Sequence, residues 1–297
     1  MSRTLERLLQ PVPPNNGMQR TALDDTREVT MITPQLQEQI AAARAYEDLF
    51  VPALFRQWAP LLAKVAYVVP GKRVLDVACG TGILARELAA QVGTSGTVAG
   101  LDLMPGMVEV AKQIAPNIEW KQGTAEELPF PDQSFDVVVS QFGLMFFPDR
   151  TKSLREMLRV LSPRGHLAVA VWDSLDNIPA IAAEVVLLER VAGRAAADAL
   201  RAPFVLGNKA DLERLGRDAG ISAPTVNTHT GTARFPSIRS LVEADLRGWL
   251  PVMGVMLEEE TIQRVLGEAD RELRAYVDGS GRTVFQISAH VLSGSRS

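Results

Sequence analysis

The chain has 297 residues, 46% of them hydrophobic, and a formal charge of −4 from 31 basic and 35 acidic side chains. That apolar share supports a sizeable core and excludes a wholly disordered chain, while the mild acidity lacks the basic footprint of a nucleic-acid binder. The single cysteine, Cys79, excludes an internal disulfide and fits a reducing, cytoplasmic setting, and no apolar run reaches the roughly 18 residues of a membrane span.

Residues 1–33 read as a disordered tail, because "PVPPNNGMQRTALDDT" mixes prolines, asparagines and scattered charge without periodicity. Met31 is an alternative start within it. From Pro34 apolar residues fall at helical spacing, and 34–70 predicts two or three helices broken at Pro52 and Pro60. Over 71–174 short apolar runs alternate with helical stretches. "RVLDVA", "TVAGLDL", "IEWKQGTA", "FDVVVSQF" and "GHLAVAVWD" predict strands, and "GILARELAAQV", "GMVEVAKQIA" and "DRTKSLREMLRVL" predict helices between them. Continuous Val/Leu/Ala strands separated by helices indicate a mostly parallel sheet buried on both faces. The fold class is α/β, Rossmann-like and doubly wound. Residues 175–297 predict one long helix over 176–200, another ending at Gly220, and a strand in "PTVNTHTGTARF". Helix over 237–278, interrupted at Pro251, and a final strand in "RTVFQISAHVLSG" complete the chain.

The turn after the first strand, "LDVACGTG", is the first place to look for a ligand, since doubly wound sheets bind at the C-terminal ends of their strands. Gly80, Gly82 and Ala85 satisfy the G-x-G-x-x-A dinucleotide pattern, and Asp102 lies twenty positions past Gly82, where a ribose-binding acid belongs. Asp76 opposes that reading. A carboxylate at the strand end repels a pyrophosphate and suits a cation, and inside the strand it would be an expensive unpaired charge.

Together, "VLDVACGTG", "LDLMPGMVEVAK", "WKQGTAEELPFPDQSFDVVVSQFGLMFF" and "LSPRGHLAVAVW" resemble the successive motifs of class I S-adenosylmethionine-dependent methyltransferases. The closest likeness is to the small-molecule branch of ubiquinone/menaquinone C-methyltransferases. It covers 71–174 closely, 40–66 loosely and the last third only in layout. The resemblance implies S-adenosyl-L-methionine as cofactor and a small-molecule methyl acceptor, with an NAD(P)-dependent oxidoreductase or an inactive cofactor binder as alternatives. It also implies roles. Asp76 holds the methionine end, and Ala78, Gly80 and Gly82 line the methionine and ribose with backbone, Ala78 standing where the family more often has glycine. Asp102 takes the ribose hydroxyls, Leu103 and Met104 pack on adenine, and Gly123, Thr124 and Ala125 meet its edge. Thr124 replaces the family's usual aspartate. Ser140, Gln141 and Phe142 end the fourth strand where cofactor and acceptor meet, and Tyr46 closes over the methionine end.

Other residues read more plainly. Phe142, Phe146 and Phe147 also suit the core, and His166, His229 and His290 sit on predicted strands without catalytic or metal spacing. No catalytic base is assigned; Asp173 alone lies at the ligand-facing end of the fifth strand. Residues 34–70 are expected to cover the cofactor site. Trp249, Leu250, Val252, Met253 and Met256 are expected to build an apolar, helical acceptor-site cap inserted within 175–297.

Overall fold

The computed structural model describes residues 33–296. The expected tail up to residue 32, with the alternative start at Met31, lies outside the described residues. Thr33 caps the first helix, its hydroxyl accepting the Leu36 N–H at 3.2 Å.

Seven strands form one sheet: β1 (Arg73–Val77), β2 (Thr97–Asp102), β3 (Glu119–Gln122), β4 (Phe135–Gln141), β5 (Leu161–Trp172), β6 (Ile221–Phe235) and β7 (Thr283–Arg296). Their order is β3-β2-β1-β4-β5-β7-β6. The first five run parallel, and β7 pairs antiparallel with both β5 and β6. Helices cover both faces, so Val74, Leu75, Val137, Val138 and Leu167 are all buried. The strand order reverses between β1 and β4, which opens a crevice at their C-terminal ends. Asp76 stands there, in register with Val139.

The helices are α1 (Pro34–Ala45), α2 (Ala59–Val65), α3 (Ile83–Val92), α4 (Pro105–Ile114), α5 (Arg150–Val160), α6 (Pro179–Ala192), α7 (Arg194–Arg201), α8 (Lys209–Ala219), α9 (Ile238–Ala244) and α10 (Glu259–Glu272). Among the described residues none is long and apolar enough to cross a membrane.

Several expected boundaries move, each for a local reason. Pro52 does not break its helix, because Tyr46–Phe55 continues α1 as a π-helical segment. The widened turn absorbs a residue that lacks an N–H. Pro60 sits in the first turn of α2, where no intrahelical donor is needed. The long helix expected over 176–200 is split at Gly193, whose φ of 89° ends α6 before α7 begins. The interruption expected at Pro251 falls later: helical backbone runs from Asp245 through Val252 and stops before Gly254, at φ 77°. Of the expected cap residues, Leu250 is core, whereas Val252 and Met256 face solvent, Met256 at 79% exposure.

A pair of buried acids lies between the helices after β5. Glu184 on α6 is fully buried, and neither of its oxygens has a hydrogen-bond donor among the described residues. Burial, and then the neighbouring charge of Asp245, push its carboxyl well above the usual range. Burial likewise raises Asp245 to about 7. Two such groups cannot both ionise cheaply. Stability from raised acids is present while they hold their protons and is lost as pH rises through the raised values. Thermal melting of the chain should therefore fall as pH rises from the ordinary carboxylate range through about 7, and Glu184→Gln should flatten that decline. Parallel pH profiles for variant and wild type would contradict the assignment.

Candidate functional site

The turn from β1 into α3 is tied to the end of β2. Ala78, Gly80 and Gly82 take left-handed φ values of 58°, 55° and 89°. The Cys79 N–H donates to Leu101 O at 3.0 Å, and the Gly80 N–H donates to Asp102 Oδ2 at 2.8 Å. The other oxygen of Asp102 accepts the Met104 N–H at 2.9 Å. Asp102 thus fixes the glycine turn to the start of the next loop, and its charge is felt by Asp76.

The two glycines of that turn serve different neighbours. A Cβ on Gly80 would stand 3.9 Å from the Tyr46 ring, an ordinary contact, so Tyr46 does lie over the turn. A Cβ on Gly82 would stand only 2.4 Å from Trp120 Cη2. The Trp120 indole, held by its N–H to Ala115 O at 2.8 Å, fills the space that the absent side chains of Gly82 and Gly100 leave. The bareness of Gly82 therefore answers to internal packing as well as to the loop's conformation, which the expectation of a ligand-lining glycine did not include.

The opposite wall is the end of β4. Ser140 is buried in register with Val169, and Gln141 donates its amide to Phe55 O at 3.3 Å. Phe142 takes a left-handed φ of 60°, rare for a bulky residue, and its ring stacks on Trp172 at 3.7 Å. Phe55 and Trp58 close on the same pair at centroid distances of 5.7 to 6.0 Å. A Cβ on Gly143 would stand 2.6 Å from Ala78 Cβ, so the two walls touch. Phe142 and Phe147 are buried, and Phe146 lies 5.2 Å from Trp249, whose N–H donates to Ala199 O.

The electrostatics of the crevice have one sign. Both oxygens of Asp76, Ser140 Oγ and Gln141 Oε1 are buried without a hydrogen-bond partner among the described residues. Burial, then the charge of Asp102, pushes the Asp76 carboxyl well up, with the Ala85 N–H opposing at the start of α3. Burial raises Asp102 too, against the N–H groups of Met104, Gly80 and Leu103. The Cys79 thiol and the Tyr46 hydroxyl are lifted by burial and by the neighbouring carboxylates. No basic side chain pairs with Asp76 or Asp102 among the described residues. An organic cation would satisfy this crevice; a pyrophosphate would not.

On the β2–β3 side Leu103 and Met104 are half-buried, and the Gly123 N–H donates to Asp102 O at 3.0 Å. Ala125 is buried and Thr124 is exposed on the rim. Helix α1 covers α4 so closely that a Cβ on Gly106 would stand 2.5 Å from the Gln39 backbone. Asp102→Ala should weaken S-adenosylmethionine binding by about tenfold or more, since it removes charge-assisted acceptors worth roughly 1.5–3 kcal/mol each. Calorimetry on the folded variant checks this, and unchanged affinity would remove the ribose assignment.

Some contributors were not found by sequence reasoning, Glu47 and Trp172 among them. Glu47 accepts the Thr81 hydroxyl at 2.5 Å and the Arg86 guanidinium at 2.7 Å, tying the Tyr46–Phe55 segment to the glycine turn. Their separations of 34 and 39 residues left no local signal. Trp172, at the end of β5, supplies the stacking surface for Phe142. Asp173 beside it is fully engaged: its oxygens accept from Ser174 N–H, Asn177, Ser288 Oγ at 2.8 Å and His290 Nε2 at 3.0 Å. Although burial raises it, those donors hold its carboxyl below the usual value. His290 Nε2 also meets Gly207 O at 3.0 Å, so two acceptors fix the proton on that nitrogen. Asp173 therefore braces β5 against β7 instead of standing free as a base.

Residues 75–169, which hold the glycine turn and the end of β4, match the family described as a methyltransferase domain. Over 136 residues the chain is 40% identical to the ubiquinone/menaquinone biosynthesis C-methyltransferase UbiE of Ectopseudomonas mendocina, covering 44% of this chain and 53% of that relative. The chain thus spans about half the length of that curated relative. In fold it is similar to a putative methyltransferase from Bacillus halodurans, with a TM-score of 0.52 at 21% identity over 79% of this chain and 96% of that one. It is also similar to Haemonchus contortus phosphoethanolamine N-methyltransferase 2, solved in complex with S-adenosyl-L-methionine. That match has a TM-score of 0.54 at 16% identity, over 87% of this chain and 57% of the other. The α/β, Rossmann-like expectation and the methyltransferase resemblance of the central unit both stand.

Proposed function

We propose that the chain binds S-adenosyl-L-methionine at the ends of β1, β2 and β4 and methylates a small, largely apolar organic molecule. The observation that carries this reading is Asp76, a fully buried carboxylate with two unpartnered oxygens in a crevice that holds no opposing cation among the described residues. The ammonium of the cofactor's methionine end supplies the missing donor. Asp102, already at the mouth of the glycine turn, accepts the ribose hydroxyls. Leu103 and Met104 pack on the adenine, with the Ala125 N–H and the rim at Gly123 and Thr124 on its edge. Tyr46, over Gly80, covers the methionine end.

When bound, the cofactor supplies a sulfonium methyl already activated for in-line displacement. The chain's own part is to orient the acceptor and exclude water. Phe55, Trp58, Phe142 and Trp172 form a rigid aromatic wall for that purpose, with Ser140 and Gln141 as polar groups at its base. The end of β6 meets the N-terminal segment, the Phe50 ring lying edge-on to Phe235 at 6.2 Å. Arg247, the one charge in the expected cap surface, is turned to Glu243 and Glu259 and is not offered to an anionic acceptor. The methyltransferase-domain match and the quinone-directed name of the curated relative support the same reading.

The test is transfer of a labelled methyl group from S-adenosylmethionine to a panel of apolar phenols and hydroquinones beside nucleotides and sugar phosphates. Label is expected in the apolar set. Transfer only to polyanions would overturn the acceptor assignment, and tight cofactor binding without transfer to any acceptor would favour the inactive binder.

A further inference from the structure

The Glu47 carboxylate ties the Tyr46–Phe55 segment to the glycine turn and to α3. One oxygen takes the Thr81 hydroxyl of the glycine turn, and the other takes Arg86 Nη2 of α3, whose Nη1 donates to Thr81 O at 2.7 Å. Thr81 is buried, and the ion pair is largely shielded, with side-chain exposures of 21% for Arg86 and 16% for Glu47. Shielding makes the pair stronger than an exposed one, whose median value is near zero. Glu47 directly follows Tyr46, the ring over Gly80, and both begin the π-helical stretch. Such widened turns recur at sites where a helix must yield or re-aim a side chain. The segment's far end is held separately, by Gln57 exchanging two hydrogen bonds with the Thr232 backbone at 2.8 and 3.0 Å. Between them Gln141 donates to Phe55 O, and at the near end Glu47 grips the turn itself.

We propose that Glu47 is a positioning residue, a latch that holds the Tyr46–Phe55 segment closed over the glycine turn through Thr81 and Arg86. The latch sets how fast the crevice opens to admit and release its ligand. The proposal rests on the cofactor reading above for the identity of that ligand, while the latch itself can be observed without any ligand. Glu47 touches neither the acceptor wall nor Asp76. Its loss frees the segment while the sheet, stitched by Asp102 to the glycine turn, stays in place. The conservative Glu47→Gln keeps an acceptor for Thr81 but loses the charge that holds Arg86, so it releases the latch in part.

The experiment measures two quantities on the full chain for wild type, Glu47→Gln and Glu47→Ala. The first is amide exchange over residues 46–58 without added ligand. The second is the dissociation rate of S-adenosylhomocysteine, followed by tryptophan fluorescence. Exchange over 46–58 is expected to speed up by about tenfold in Glu47→Ala, with Glu47→Gln intermediate and strands β1, β4 and β5 unchanged, and dissociation is expected to accelerate in the same order. Exchange over 46–58 that does not change, or that rises equally throughout the sheet, would overturn the latch. Faster exchange with an unaltered dissociation rate would also overturn it, because the segment would then not gate the ligand. A wild-type chain that binds no S-adenosylhomocysteine would sink the cofactor reading instead, and the exchange result would still decide whether the segment is latched.

Discussion

Asp76→Asn should stabilise the chain while it removes ligand binding. The two effects have opposite signs because the carboxylate is an unpaired buried acid until a cation reaches it. Its raised carboxyl contributes stability while protonated and loses it as pH rises through that raised value, and an asparagine does not titrate. The variant should melt above wild type once pH exceeds the ordinary carboxylate range, with the gap closing as pH falls below that range. Affinity for S-adenosylhomocysteine should fall by about thirtyfold or more, as truncating one partner of a buried, hydrogen-bonded charge pair costs roughly 2–5 kcal/mol. Thermal melts across pH and calorimetry check the two halves independently. A variant that loses stability at every pH, or keeps wild-type affinity, would show that Asp76 serves the fold and not a ligand.

Gly100→Ala should be among the most disruptive single changes in the sheet. The position lies inside β2, paired with Asp76 and with Trp120 itself. An added Cβ would stand 2.3 and 2.5 Å from two atoms of the Trp120 ring, which hydrogen bonding to Ala115 O prevents from swinging aside. Overpacking of this kind costs roughly 1–3 kcal/mol and occasionally more, or a melting point lower by about 5 °C or more. The cause can be isolated with Trp120→Leu: in that background the same glycine substitution should cost little. Equal costs in both backgrounds would remove Trp120 as the reason for the glycine.

Much of this was legible in the sequence wherever the signal was local. The alternation from Arg73 to Trp172 gave strands and helices in the right order, because strands buried on both faces must be continuously apolar. Asp76 was conspicuous for the same reason, as a charge at the end of such a strand. What failed to show was set by packing across the chain. Pro52 reads as a helix breaker by local propensity, yet the π-helical turn carries the chain past it. Gly82 reads as a ligand-loop glycine, and only the fold brings Trp120 against it. Glu47 is one acid among many on an N-terminal helix until Thr81 and Arg86 are folded onto it. Asp173 reads as an acid at the ligand-facing end of the fifth strand, and only the fold brings Ser288 and His290 of β7 onto it.

The most direct measurement is a calorimetric titration of the wild-type chain with S-adenosylhomocysteine and, separately, with NADH. A crevice with Asp76 and Asp102 on its walls, neither of them paired with a basic side chain among the described residues, should bind the first with a dissociation constant in the micromolar range or tighter, about −8 kcal/mol, and the second not at all. Binding of NADH, or heat from neither ligand, would contradict the assignment of this crevice to S-adenosylmethionine.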